Sequence, residues 1–64
     1  MIVLITYKNP CIFGDNCSYI VNRKGKFINI FEHLDKDEDN KTKVYTFYFY
    51  EILRFIVEGK EILL

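Results

Sequence analysis

The sequence holds no tryptophan, no alanine and no glutamine, a single proline, a single histidine and two cysteines. Nor is there an excess of either charge: nine basic residues cancel nine acidic ones. A neutral chain has no global field to draw in nucleic acid or an anionic membrane. One histidine and two cysteines fall short of the four ligands of a structural zinc site. No apolar run approaches the eighteen residues of a membrane-spanning helix. The start, Met-Ile-Val-Leu-Ile-Thr, lacks a charged leading segment, so no secretory signal is read. There is no glycine-rich phosphate loop, no nucleophile elbow and no paired-histidine helix. At 64 residues the chain is one domain, 1–64. That length excludes a dinucleotide-binding α/β fold and a TIM barrel.

What is present is apolar and ring-bearing. Half of the residues are hydrophobic and 17% are aromatic, which excludes intrinsic disorder. A domain this short buries only about 60% of the surface its unfolded chain exposes, so its stability is marginal. Phe, Tyr, Met, Ile, Asn and Lys make up 33 of the 64 residues. These have AT-rich codons, and such a short, skewed reading frame fits a phage or mobile element of a low-GC host. Two cysteines without an export signal place the chain in a reducing cytoplasm. The charge is uneven: residues 1–31 carry four bases against one acid, a net +3, and residues 32–64 carry −3.

Residues 2–7 are β-branched and apolar on both faces and predict a buried strand. Lys8-Asn9-Pro10 ends it, and residues 9–17, with Pro10, Gly14, Asp15 and Asn16, read as a loop. Residues 18–23 and 26–32 alternate around Lys24-Gly25 and predict a hairpin, with Gly25 supplying a positive φ. Phe27, Asn29 and Phe31 share one face; Ile28 and Ile30 share the other. Residues 35–41 are all polar or charged and predict a solvated loop. A strand over 42–49 follows, aromatic on both faces. Phe49, Ile52, Leu53, Ile56 and Val57 then recur at helical spacing, with Glu51, Arg54 and Glu58 opposite and Gly59 as a C′ cap. They predict a helix over 49–58. The competing reading is a second hairpin around Glu58-Gly59-Lys60, whose alternation is poor. The expected fold is α+β: an antiparallel sheet of three to four strands (2–7, 18–23, 26–32, 42–49) with one C-terminal helix. The alternative is an all-β small barrel or meander.

Three constellations have chemical readings. Cys11, Cys17 and His33 are the only candidates for a metal, a disulfide or a Cys/His nucleophile, and the bland reading is two half-buried thiols. Asp35, Asp37 and Asp39 have the spacing of the front half of a calcium loop, but the twelfth position is Thr46 and the sixth is not glycine. No metal, cofactor or catalytic residue is expected, and the chain is expected not to be an enzyme. The aromatic strand, flanked by Lys24, Lys26, Lys41 and Lys43, fits a single-stranded nucleic-acid platform.

The functional expectation comes from surplus. A sheet covered by one helix buries one face and leaves the other polar. Strands 2–7 and 44–50 are apolar on both. The surplus must be covered by a loop, a second copy or another protein. The expected partner-binding residues are Tyr45, Tyr48 and Tyr50, with Asp35, Asp37, Glu38 and Asp39 offered to a basic groove. The expected role is a non-catalytic, homodimeric or target-bound interaction protein. In a phage setting it would inhibit a host enzyme or defence complex, an anti-CRISPR-like role that shares size and no motif. The rivals are a small nucleic-acid-binding or transcription-regulating domain, and a virion assembly protein.

Overall fold

The computed structural model describes residues 1–33 and 42–64. Seven strands follow in order: β1 (Ile2–Thr6), β2 (Pro10–Phe13), β3 (Cys17–Asn22), β4 (Phe27–His33), β5 (Thr42–Tyr48), β6 (Ile52–Val57) and β7 (Lys60–Glu61). A 3-10 turn, Phe49–Glu51, joins β5 to β6. The strands form two antiparallel sheets, β2-β1-β6-β7 and β3-β4-β5. No helix among the described residues is long and apolar enough to cross a membrane.

The two sheets cover each other. Ile2, Leu4 and Phe55 from one and Ile28 and Ile30 from the other are buried. Aromatic pairs bridge the layers. Phe13 on β2 meets Tyr45 on β5 at 5.2 Å between ring centroids. Tyr19 on β3 meets Phe55 on β6 edge-on at 5.3 Å. Alternation explains this core. Leu4 is paired with Cys11 on one side and Phe55 on the other, and Ile30 lies between Tyr19 and Tyr45. Each of these rows points inward, and the residues between them point out.

The α+β expectation is overturned: the C-terminal helix over 49–58 does not exist. Its first three residues form the 3-10 turn, Ile52–Val57 are β6, and Glu58 opens the turn to β7. Two physical facts explain the misreading. A short apolar run satisfies both periods, and Ile52, Ile56 and Val57 are β-branched. Strand β1 also needs a ladder on its second edge, and β6 supplies it from Ile2↔Val57 to Thr6↔Ile52. A register shift between Ile5 and Thr6 accommodates the passage from turn to strand. Arg54 therefore pairs across strands with Glu61 at 2.8 Å, and not along a helix with Glu51 or Glu58.

Two smaller corrections follow. Residues 9–17 are not all loop, because Pro10–Phe13 is edge strand β2. Pro10 is its first residue, where a missing N–H is tolerated. In the β3–β4 hairpin the positive φ belongs to Lys26 (60°), not to Gly25. Gly25 is needed for closeness: its N–H donates to Asn22 Oδ1 at 2.6 Å, and a Cβ there would strike the Phe27 ring. The four strands expected at 2–7, 18–23, 26–32 and 42–49 are present with ends moved by about one residue.

Candidate partner surface

At one end of the sandwich the chain leaves β1 and enters the 3-10 turn, and these two passages lie side by side. Thr6 Oγ1 accepts from the N–H groups of Lys8 and Asn9, both at 3.2 Å, and donates to the Asn9 carbonyl at 2.9 Å. This turn lifts Tyr7 out of the sheet. The Tyr7 N–H donates to the Glu51 carbonyl at 3.2 Å, which ties the turn to the 3-10 segment. The Glu51 carboxylate accepts from the Tyr48 N–H at 3.2 Å, and the Phe49 N–H donates to the Lys26 carbonyl at 2.9 Å. Five backbone donors are thereby used in fixing the end of the molecule.

Three tyrosines project from this frame. Tyr7 is 72% exposed, Tyr50 79% and Tyr48 45%. Tyr48 and Tyr50 stack, with ring centroids 5.8 Å apart and planes 12° from parallel. The Phe27 ring braces Tyr48 from the neighbouring strand at 6.1 Å. Thr6, Tyr7, Lys8, Tyr50 and Glu51 line a cleft of about 350 Å³. The lining residues include one cation and one anion, so the cleft's own charge cancels. Large rings bearing a polar tip suit a surface that is wet when free and dry when bound.

Of the residues expected from the sequence to bind a partner, Tyr48 and Tyr50 stand together here. Tyr45 does not join them. It is half-buried on the inner face against Phe13, and its hydroxyl donates to Glu32 Oε1 at 2.9 Å. That bond pushes the phenol pKa up. Asp35, Asp37, Glu38 and Asp39, and most of the calcium-like segment, lie outside the described residues. Tyr7 was missed, and its signal was modest: a lone aromatic at a strand end, next to Lys8-Asn9-Pro10.

The other constellations stay apart from this surface. Cys11 and Cys17 are free and half-buried, packed against the core. Burial, and then the Glu32 charge, push the Cys17 thiol up. His33 Nε2 lies 3.0 Å from Ser18 Oγ on the exposed face of the β3–β4 pair. Among the described residues there is no group of three or more His, Cys, Asp and Glu side chains able to hold a metal ion. On the outer face of the first sheet, Ile12, Val3 and Ile56 form a row across three strands, with Ile12 67% exposed. Comparison with protein-family models, with curated proteins and with solved structures finds no match for the chain.

Proposed function

We propose that the chain is a small, non-catalytic protein-binding module that docks on its partner through Tyr7, Tyr48 and Tyr50. The observation carrying this reading is the exposed Tyr48–Tyr50 stack, held on a hydrogen-bonded frame and left without an intramolecular cover among the described residues. Rigid rings bury much area for little lost conformational freedom. Blocking a target's working surface, the inhibitor role, is the activity available to such a module. Free thiols fit work in a reducing cytoplasm.

The test is capture on beads from the producing cell, wild type against a Tyr48→Ser, Tyr50→Ser double variant. A captured protein that disappears with the double variant, at unchanged circular dichroism, supports the module. Equal capture by both removes this surface from the function. Self-association has its own candidate surface, the Ile12–Val3–Ile56 row, whose outward apolar side chains suit a second copy. A light-scattering mass above 7.7 kDa that Ile12→Lys returns to 7.7 kDa assigns it there.

A further inference from the structure

In an antiparallel ladder every second residue turns its N–H and C=O to one neighbour, and the residues between turn theirs to the other side. The bonds at the ends of β4 fix which residues of β5 do which. The Phe49 N–H donates to the Lys26 carbonyl at 2.9 Å, one step beyond the Phe27↔Tyr48 pair. By alternation Phe47, Tyr45 and Lys43 also turn their backbone groups to β4. Thr42, Val44, Thr46 and Tyr48 turn theirs to the open edge, where β5 has no neighbour among the described residues. Two further bonds agree with this phase. The Tyr48 N–H goes to the Glu51 carboxylate and not to β4. On the other side of β4, the His33 N–H donates to the Asn16 carbonyl at 2.9 Å. The edge therefore offers the complete backbone groups of Thr42, Val44 and Thr46, and it stops at Tyr48.

An edge of this kind is completed by an added strand. The other edges are poorer. β2 begins with Pro10, which has no N–H, and β7 has only two residues. β3 turns Cys17, Tyr19 and Val21 outward, but pairing it with itself about Tyr19 sets Ser18 against Ile20, polar against apolar. β5 is complementary to itself. Set antiparallel to a second copy about a two-fold axis at Val44, it pairs Val44 with Val44, Thr42 with Thr46, and Lys43 with Tyr45. All of the free backbone groups are then used, in about six hydrogen bonds. On the outer face valine meets valine and threonine meets threonine, pairs that stabilise antiparallel sheets. The Thr46 hydroxyl already donates to Asn29 Oδ1 at 2.8 Å and is left as an acceptor for the Thr42 hydroxyl. On the inner face each Lys43 meets the second copy's Tyr45, whose hydroxyl rests on Glu32, so a cation approaches an anion. Neighbouring registers fail. An axis at Tyr45 calls on the Tyr48 N–H, which Glu51 holds. An axis at Lys43 sets two ammonium groups directly opposite each other.

We propose that β5 pairs with β5 of a second copy of this chain, antiparallel about Val44, joining the two β3-β4-β5 sheets into one. The pairing does not depend on the tyrosine surface, but it has a consequence for it. A two-fold axis through the shared sheet keeps both outer faces on one side. The two Tyr48 positions then stand about 27 Å apart along the strands, eight residues at about 3.4 Å each. One dimer carries the tyrosine surface twice, on the same side.

The test is sedimentation velocity of the full chain from about 1 µM to about 1 mM, with amide hydrogen exchange at both ends of that range. A monomer–dimer equilibrium with a Kd of about 10–100 µM is expected, the weak class of a one-strand interface. The Val44 and Thr46 amides should exchange about tenfold or more slowly at the high concentration, while Tyr45 and Phe47, bonded to β4 in either state, change little. Val44 is exposed, so a charge there leaves the fold intact. Val44→Lys and Val44→Glu should each sediment as monomers, at unchanged circular dichroism. An equimolar mixture of the two should restore the dimer, because the axis sets Val44 against itself. Val44→Pro removes an outward N–H and no β4 bond, and should weaken pairing by about tenfold or more. A monomer at about 1 mM overturns the proposal and leaves the edge to a strand of another protein. A mixture no more dimeric than its two components also overturns it. So does a dimer that Ile12→Lys dissolves and Val44→Lys leaves intact, which places the second copy on the Ile12–Val3–Ile56 row. Bead capture through Tyr48 and Tyr50 is read separately, and none of these failures removes it.

Discussion

Tyr45 and Glu32 meet on the inner side of the β3-β4-β5 sheet, the phenol donating to the carboxylate at 2.9 Å. The bond raises the pKa of the phenol above its ordinary 10.0, with burial and the carboxylate charge adding to it. A group whose folded pKa is raised stabilises the fold in full below its unfolded pKa and loses that contribution as pH rises through the folded value. The melting temperature should therefore fall as pH rises beyond 10.0. Tyr45→Phe should lower it at neutral pH and flatten the alkaline decline. Melting curves of both proteins from neutral to strongly alkaline pH check this.

Phe55 fills the centre of the interface between the sheets and touches Tyr19 edge-on. Phe55→Ala should cost about 3–5 kcal/mol. That is comparable to the whole stability a domain of this size draws from its core, about 3–5 kcal/mol. The variant should be largely unfolded at room temperature, seen as collapsed amide dispersion in its proton–nitrogen spectrum.

The β6–β7 turn has positive φ at both central residues, Glu58 at 50° and Gly59 at 79°. With Val57 opposite Lys60, this is the two-residue loop whose twist matches the flanking strands. Space around Gly59 is open, so only the backbone conformation resists a side chain. Gly59→Ala should cost on the order of 1–2 kcal/mol. Gly59→Asn should cost less, because asparagine tolerates the left-handed region. Urea midpoints of the three proteins give the order directly.

Arg54 donates to Glu61 across β6 and β7 at 2.8 Å and holds the carboxyl below its ordinary 4.5. A depressed carboxyl stabilises the fold above its unfolded pKa and loses that contribution as pH falls through the folded value. The short β7 should therefore fray in acid first. Glu61→Gln should reproduce the fraying at neutral pH, read as faster hydrogen exchange at the Ile62 amide, which binds the Phe55 carbonyl at 2.8 Å.

Burial and the neighbouring Glu32 charge keep Cys17 protonated beyond its usual range. Alkylation of Cys17 in mildly alkaline buffer should be slow in the native protein and faster by about tenfold or more in denaturant. Peptide mapping after timed quenching measures both rates.

The β3-β4-β5 meander was legible because alternation and turn chemistry agree along it. Phe27, Asn29 and Phe31 do face away from Ile28 and Ile30, as the pattern requires. The C-terminal segment was not legible, because its signals are degenerate. Gly59 at positive φ serves equally as a helix C′ cap or a hairpin turn. Arg54 has acids at helical and at cross-strand distance. The deciding fact is that β1 lacks a second neighbour unless 52–57 is extended, and this is a property of the whole chain. Strand β2 was hidden by Pro10, a strand breaker everywhere except at an edge or a start. The tyrosine site was half legible. Tyr48 and Tyr50 share a sequence neighbourhood, while Tyr7 is brought to them by the β1–β6 ladder and the Tyr7–Glu51 backbone bond.

The pairing of Ile2 with Val57 has a kinetic meaning. The meander assembles from adjacent segments, whereas zipping β1 to β6 must close nearly the entire polypeptide into one ring. High contact order of this kind slows barrier crossing and leaves the greasy inner side of the meander open meanwhile. Refolding should be limited by docking of the two chain ends, and that late step is also where transient aggregation is most easily seeded.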